Sequence, residues 1–482
     1  MSALTGAIDC YLDSHMSFSA NSLTPDFPDG DPHLFYESDR DKVYDLPSKD
    51  REDGSQMLEI KADVRVQPTD LHLAIEHNGF AHTSYQLRDY PTALAAIDRA
   101  IAYDPDRTDF YYQRALIAKA LNNYPQVIAD CQQILIRSPQ HQAAHRLEAI
   151  ALVKTKNYRM ALANFDRYIA LYPQDAHGYC YRGICHDRLQ AYTRAIADFD
   201  LALDLKPEEA IFHHARGRTH QQLGNFSAAL ADYNLAIQLK PLGARVYDDR
   251  AEIYRLQGDY LRTVADCTKA IDLNPLLIDA YFRRGIAYTE LGDLDLALVD
   301  YDLIVVLDSN HLKTYIQRSW IYFRQGKYRQ AIQDCESAKK IDKGCFWAHY
   351  LCGVINDFSG LKEQAITDFT IAIELASSSI CALYHRGAIY YELGNHAEAT
   401  ADFTQARSAQ DGGLEQLVAG LSSTLENRDE TGFYAEGLAL YYMGQVESAI
   451  ATLKLALLVA NRFGNHSFQV QISLLLQRFS TK

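Results

Sequence analysis

Residues 207–241 read PEEAIFHHARGRTHQQLGNFSAALADYNLAIQLKP, from one proline to the next, and this interval decides the fold. The same 34-residue step runs without a slip through Pro105, Pro139, Pro173, Pro207, Pro241 and Pro275. A fixed period of this length marks a chain built from stacked supersecondary units. With each proline set at position 32, residues 74–413 divide into ten contiguous units, and an eleventh follows at 430–463. Residues that did not set the ruler agree with it. In the quoted stretch Gly217, Gly224, Ala229 and Tyr233 stand at positions 8, 15, 20 and 24. Position 8 is small in all eleven units, position 20 is mostly alanine, and position 15 is glycine at Gly224, Gly258, Gly292, Gly326, Gly360, Gly394 and Gly444.

Each unit therefore predicts two short amphipathic helices. Glycine at position 15 takes the positive φ of a helix C-cap between them, and proline ends the second helix. Small residues at positions 8 and 20 let the helices approach, with a bulky residue at position 24 beside them: Phe165, Phe199, Tyr233, Tyr301, Phe369 or Phe403. No such unit buries its own apolar face, so neighbours must stack.

The pattern resembles the tetratricopeptide repeat (TPR) family, most closely in the units around Tyr281, Gly285, Tyr288, Gly292, Ala297 and Tyr301, and around Tyr179, Gly183, Ala195, Phe199, Ala202 and Pro207. The style of the units looks most like bacterial arrays, including those of cyanobacteria. The resemblance implies an all-α, right-handed superhelical solenoid whose inner groove holds peptides or helices of partner proteins. Ser309, Lys343, Ser377 and Asp411 replace the proline in later units, where weaker boundaries are expected.

Outside the units lie an acidic arm at 1–73, a spacer at 414–429 and a tail at 464–482. None is large enough for a catalytic domain, and no phosphate loop or nucleophile with a histidine and an acid partner occurs. An enzyme is not expected, nor a cofactor. The arm carries 15 acidic against 6 basic residues, within a chain of 482 residues and net charge −15. Such a balance disfavours a phosphate backbone, so nucleic-acid binding is not expected. The nine cysteines are odd in number, and Cys131, Cys267 and Cys335 share position 24, as small buried hydrophobes would. No apolar run is long enough to cross a bilayer, and a cytoplasmic location is expected. Peripheral association with a membrane complex is compatible with this. Cys180, Cys185 and His186, and also His213, His214 and His220, fall on packing positions or diverge around a helix, and no metal site is expected.

In the arm, Leu4, Ile8, Tyr11 and Leu12 share a helical face, expected to cap the first unit or to dock in the groove of its own chain. The spacer keeps helical spacing through Leu414, Leu417, Val418, Leu421 and Leu425, and the tail through Phe468, Ile472, Leu475 and Leu476 reads as a terminal capping helix.

Positions 2, 5, 9 and 12, with 13 at the edge, line the inner face. Its middle is polar, with Arg218, Arg245 and Arg255. From the eighth unit it turns aromatic and apolar: Ile316, Trp320, Phe323, Trp347, Tyr350, Phe358, Tyr384, Tyr391, Tyr434 and Tyr441, expected as a partner-binding groove. The functional expectation is a non-catalytic scaffold for assembly or targeting of a multiprotein complex. The alternative is a recruitment subunit of a separately encoded enzyme.

Arginine recurs at position 7 and aspartate at position 23, as in Arg250 with Asp266 and Arg284 with Asp300. On facing helices these positions stand at one height, so the arrangement is read as an internal Arg–carboxylate pair repeated along the array. In a double-mutant cycle Arg250 and Asp266 should couple by more than the ~0.2–1 kcal/mol of an exposed pair. Zero coupling removes the ladder.

Overall fold

The computed structural model describes residues 68–376, 379–411, 430–462 and 466–480. The helical expectations for the arm at 1–67 and the spacer at 414–429 lie outside these. Every regular element among the described residues is an α-helix. They form two compact units, which divide between Val246 and Tyr247.

The N-terminal unit is a series of helix pairs, from Pro68–Gln86 with Tyr90–Tyr103 to Ala210–Gln222 with Phe226–Leu239. Its first helix starts upstream of position 74, because a proline at a helix start removes only an N–H that has no intrahelical partner. The C-terminal unit continues from Tyr260–Leu273 through pairs such as Ile278–Leu291 with Leu294–Leu307, to Glu430–Tyr442, Val446–Arg462 and a closing helix His466–Ser480. In both, the second helix of a pair also packs on the first helix of the next, except at the last pair, where Glu430–Tyr442 packs on the first helix Ile380–Glu392.

The turn inside each pair depends on left-handed backbone at position 15. The seven glycines there have φ of 70–89°. Arg88, Asn122, Lys156 and Gln190 hold the same conformation in the first four pairs, at φ of 57–61°. Asp89, Asn123 and Asp259 then cap the second helix, each accepting from the backbone N–H three residues on.

Proline is not what ends the second helix. Helices Leu294–Leu307 and Tyr328–Ile341 stop in register although Ser309 and Lys343 follow. There the preceding aspartate folds the chain into an Asx turn: the Asn310 N–H donates to Asp308 Oδ1 at 2.9 Å, and the Gly344 N–H to Asp342 Oδ1 at 2.8 Å. The helix with Asp411 in place of proline runs on, His396–Asp411, for 16 residues.

Close approach of paired helices comes from positions 8 and 24. A Cβ on Gly285 would lie 2.5 Å from the Tyr301 ring, one on Gly217 2.8 Å from Tyr233, and one on Gly353 2.8 Å from Phe369. Where position 24 is the smaller cysteine, at Cys131, Cys267 and Cys335, position 8 carries a Cβ, as Ala115, Ala251 and Ser319. Ring and glycine thus complement each other in volume, with two exceptions, Ala149 beside Phe165 and Gly437 beside Leu453. Gly285→Ala should cost about 1–3 kcal/mol in urea unfolding, through overpacking. Combined with Tyr301→Cys it should cost less than the sum of the two single changes. An unchanged midpoint for Gly285→Ala would show that the ring has room to move.

Candidate partner-binding face

The charged ladder is internal. Arg114, Arg182, Arg216, Arg250, Arg284, Arg318 and Arg386 each donate through Nε and Nη2 to the aspartate sixteen residues on, at 2.6–3.1 Å. Those carboxylates are buried or nearly so, and Tyr111, Tyr179, Tyr247, Tyr281 and Tyr315 lie under five of the guanidiniums. Nη1 of several arginines reaches position 25 of the preceding pair: Asp98, Asp166, Asp200 and Asp302 at 2.7–2.9 Å, Thr268 and Thr370 at 3.1 and 2.9 Å. Each of these arginines therefore ties its own pair and staples it to the one before. The staple was missed in the sequence, although aspartate recurs there. Asp368, which faces Cys352 instead of an arginine, is held by Lys339 of the preceding pair and by Asn356, both at 2.9 Å.

The polar part of the inner face is not an array of waiting cations. Arg255 is buried and donates twice to Glu252 at 2.9 Å. Arg283, from the next pair, reaches Glu252 at 3.1 Å and Asp248 at 2.5 Å. Two arginines and two carboxylates thus bond to one another, which corrects the expectation that Arg255 is offered to a ligand. Arg218 and Arg245 are half-buried in the N-terminal unit. Cys180 and Cys185 are buried, and burial pushes the Cys185 thiol up to about 12. His213 is also buried, with one ring nitrogen 2.9 Å from the Pro207 carbonyl.

The aromatic part requires a larger correction. Ile316, Trp320, Phe323, Tyr350 and Tyr384 are buried, none more than 6% exposed, rather than open to a groove. Trp347, Phe358, Tyr391, Tyr434 and Tyr441 are half-buried. The cause is twofold. Trp320 stacks on Phe323 of its own helix at 5.3 Å, and adjacent first helices close on one another where Phe323 meets Phe358 edge-on at 5.3 Å. The tail then lies over what is left. Phe468 packs against Phe358 and Tyr434, both at 5.2 Å, and Phe479 stacks on Tyr441 at 3.6 Å. Helix His466–Ser480 also touches helix Leu312–Arg324. It does cover the last pair, against Val446–Arg462, but it reaches along the inner face as well, which terminal capping does not require.

Between tail and face remains a cavity of about 270 Å³, walled by Asp357, Lys362, His385, Glu392, Tyr434 and Gln471 among others. Lys362 bridges Asp357 at 2.6 Å and Glu392 at 2.7 Å. Burial works against the charge on Lys362, but the two carboxylates outweigh it and hold the ammonium's pKa up. Burial raises both Asp357 and Tyr434. His385 is 1% exposed, stacks on Phe369 at 5.1 Å, and has no partner for Nε2. Burial, with the nearby Lys362 charge, lowers it to about 3. Among the described residues no cluster suits a metal ion, and no helix is long and apolar enough to cross a membrane.

These features define a class: an all-α array of stacked helix pairs, two helices to a unit. Tetratricopeptide-repeat models match residues 79–142 and 146–210, and also 210–241, 312–345 and 382–409, and the chain belongs to the TPR family. Repeats of this family serve as protein-interaction scaffolds and are generally non-catalytic. No curated protein is similar enough in sequence to be matched. Among solved structures, the chain is similar to yeast Tom70, at 14% identity over 84% of this chain and 96% of that one, TM-score 0.38. It is similar to MamA from Desulfovibrio magneticus RS-1, at 21% over 35% and 95%, TM-score 0.33. YrrB, a TPR protein whose structure is titled as having an unusual peptide-binding site, is 22% identical over 39% and 96%, TM-score 0.35.

The lowered pKa of His385 has a stability consequence. Between the ordinary histidine value and about 3, the unfolded chain binds a proton that the folded chain refuses, so stability falls as pH drops through that window and is flat above it. The slope is about 1.4 kcal/mol per pH unit. Urea unfolding at about pH 7 and about pH 5 should show wild type losing more than His385→Leu. Equal losses would mean that the imidazole is protonated in place.

Proposed function

We propose that this protein is a non-catalytic scaffold that holds a helical segment of a partner protein against the inner face of its repeats, in the service of assembling or targeting a larger complex. One observation carries the reading: the first helices of the later pairs already hold an amphipathic helix, the chain's own tail, through Phe468 at Phe358 and Tyr434. A face that accepts one helix by ring-to-ring packing has the shape and chemistry to accept another. The polar groups of the array are largely paired with each other, as in the Arg284–Asp300 and Arg255–Glu252 contacts, which leaves apolar packing as the main source of affinity.

Photo-crosslinking in a lysate of the source organism tests this. A photoreactive residue at inner-face Tyr112, Arg218 or Trp347 should join one partner protein, identified by mass spectrometry. The same residue at Leu201 or Val299, exposed on second helices, should not. Crosslinks confined to Leu201 and Val299 would move the binding surface to the outer face and end this proposal. A separately encoded enzyme among the products would identify the scaffold as a recruitment subunit.

A further inference from the structure

We infer that the surface under helix His466–Ser480 is a binding site for an amphipathic helix with large apolar residues at the spacing of Phe468, Ile472, Leu475 and Phe479, and that the tail is its resident competitor. The inference rests on the proposed helix-holding role and deepens it: it names the site, the partner's chemistry and the obstacle to binding.

The tail's footprint supplies the motif. Phe468, Ile472 and Phe479 are buried and Leu475 is partly so, which places apolar groups at i, i+4, i+7 and i+11 on one helical face. They share one apolar cluster with Phe358, Ala388, Tyr434, Leu438 and Tyr441 of first helices and with Leu453, Ala456 and Ala460 of Val446–Arg462, so the surface under the tail combines the inner face with the flank of the last pair. The tail is 15 residues long, short enough that its helicity depends on the surface it lies against.

The fit is incomplete, and in a specific way. His385 Nε2 is buried without a partner in the wall of the cavity that the tail closes, and Trp320 Nε1 is buried without one on the helix that the tail touches. A buried donor or acceptor left unpaired is costly, so an occupant that reached these atoms with polar side chains would have an advantage over the tail. Because the tail covers the site, a partner must displace it, and loosening the tail should raise a partner's apparent affinity.

The test uses the full chain and a fluorescein-labelled peptide, HSFQVQISLLLQRFS, which copies residues 466–480. In anisotropy titrations the peptide should bind Ile472→Asp protein at least about tenfold more tightly than wild type. Val470→Asp, altered on the outward side, should behave as wild type. A peptide carrying the Ile472→Asp change should not bind either protein. Equal affinity for wild type and Ile472→Asp, or no binding to either, overturns the inference.

If Ile472→Asp loses its helical circular dichroism, hydrogen exchange of the wild-type chain decides the matter. Amides of 466–480 should exchange through local opening, faster than those of Phe346–Phe358. Equal protection would make the tail a fixed part of the fold and overturn the inference. Failure here leaves crosslinking at Tyr112 and Arg218 in the N-terminal unit unaffected, so loss of this site and loss of the scaffold reading are separate results.

Discussion

The fit between the position-24 side chain and the small residue at position 8, a ring on bare glycine backbone in five pairs, is the constraint on which the rest of the molecule depends. At Gly285 and Tyr301 there is no space for a single methyl group, so the two helices of the pair meet at a distance set by the thickness of one ring. Helices held that close bury little beyond the strip between them. Their remaining apolar residues face the preceding and following pairs, so each pair is stable only in a stack. The arginine staple works on the same scale. Its fork is committed to Asp300 inside the pair, while the remaining N–H reaches Thr268 of the pair before. Packing thus sets the distance between helices, and the charge network ties successive pairs to one another.

This hierarchy explains how much of the molecule was legible in the sequence. Contacts within one pair connect residues at a fixed separation, sixteen for Arg250 and Asp266, and a period of 34 exposes such relations directly. The left-handed turn at position 15 was legible only where glycine announces it. Arg88, Lys156 and Gln190 adopt it because the flanking helices require it, not because their own backbone prefers it, whereas Asn122 is a residue type that tolerates it. Proline was a marker of the boundary rather than its cause, since Asp308 and Asp342 end their helices by hydrogen bonding. Contacts between pairs were harder to read. Arg283 bonds to Asp248 and Glu252 from a position at which arginine is not repeated elsewhere, and no period reveals a contact made once.

The candidate site was legible in its residue types and not in their availability. Arginine and tryptophan on an inner face look alike in a sequence whether they are open or already occupied. Arg255 is occupied by Glu252, and Trp320 by Phe323 and the guanidinium of Arg324 above its ring. What separates the two cases is geometry. A long charged side chain finds a counter-charge within its own or the adjacent pair, whereas an aromatic surface several helices wide is too large for local side chains to cover.

Such a surface needs a whole secondary-structure element to keep it from water, and in this chain the last helix is that element. The aromatic lining and the apolar stripe of the tail are therefore one feature seen from two sides: each would be an exposed hydrophobic liability without the other. Covering the lining protects the array, but the cover reproduces the chemistry of whatever helix the lining would hold. A surface shielded in this way cannot be made both fully satisfied by its cover and open to a partner. The unpaired nitrogens of His385 and Trp320 lie on the side of that choice which keeps the cover weaker than it could be.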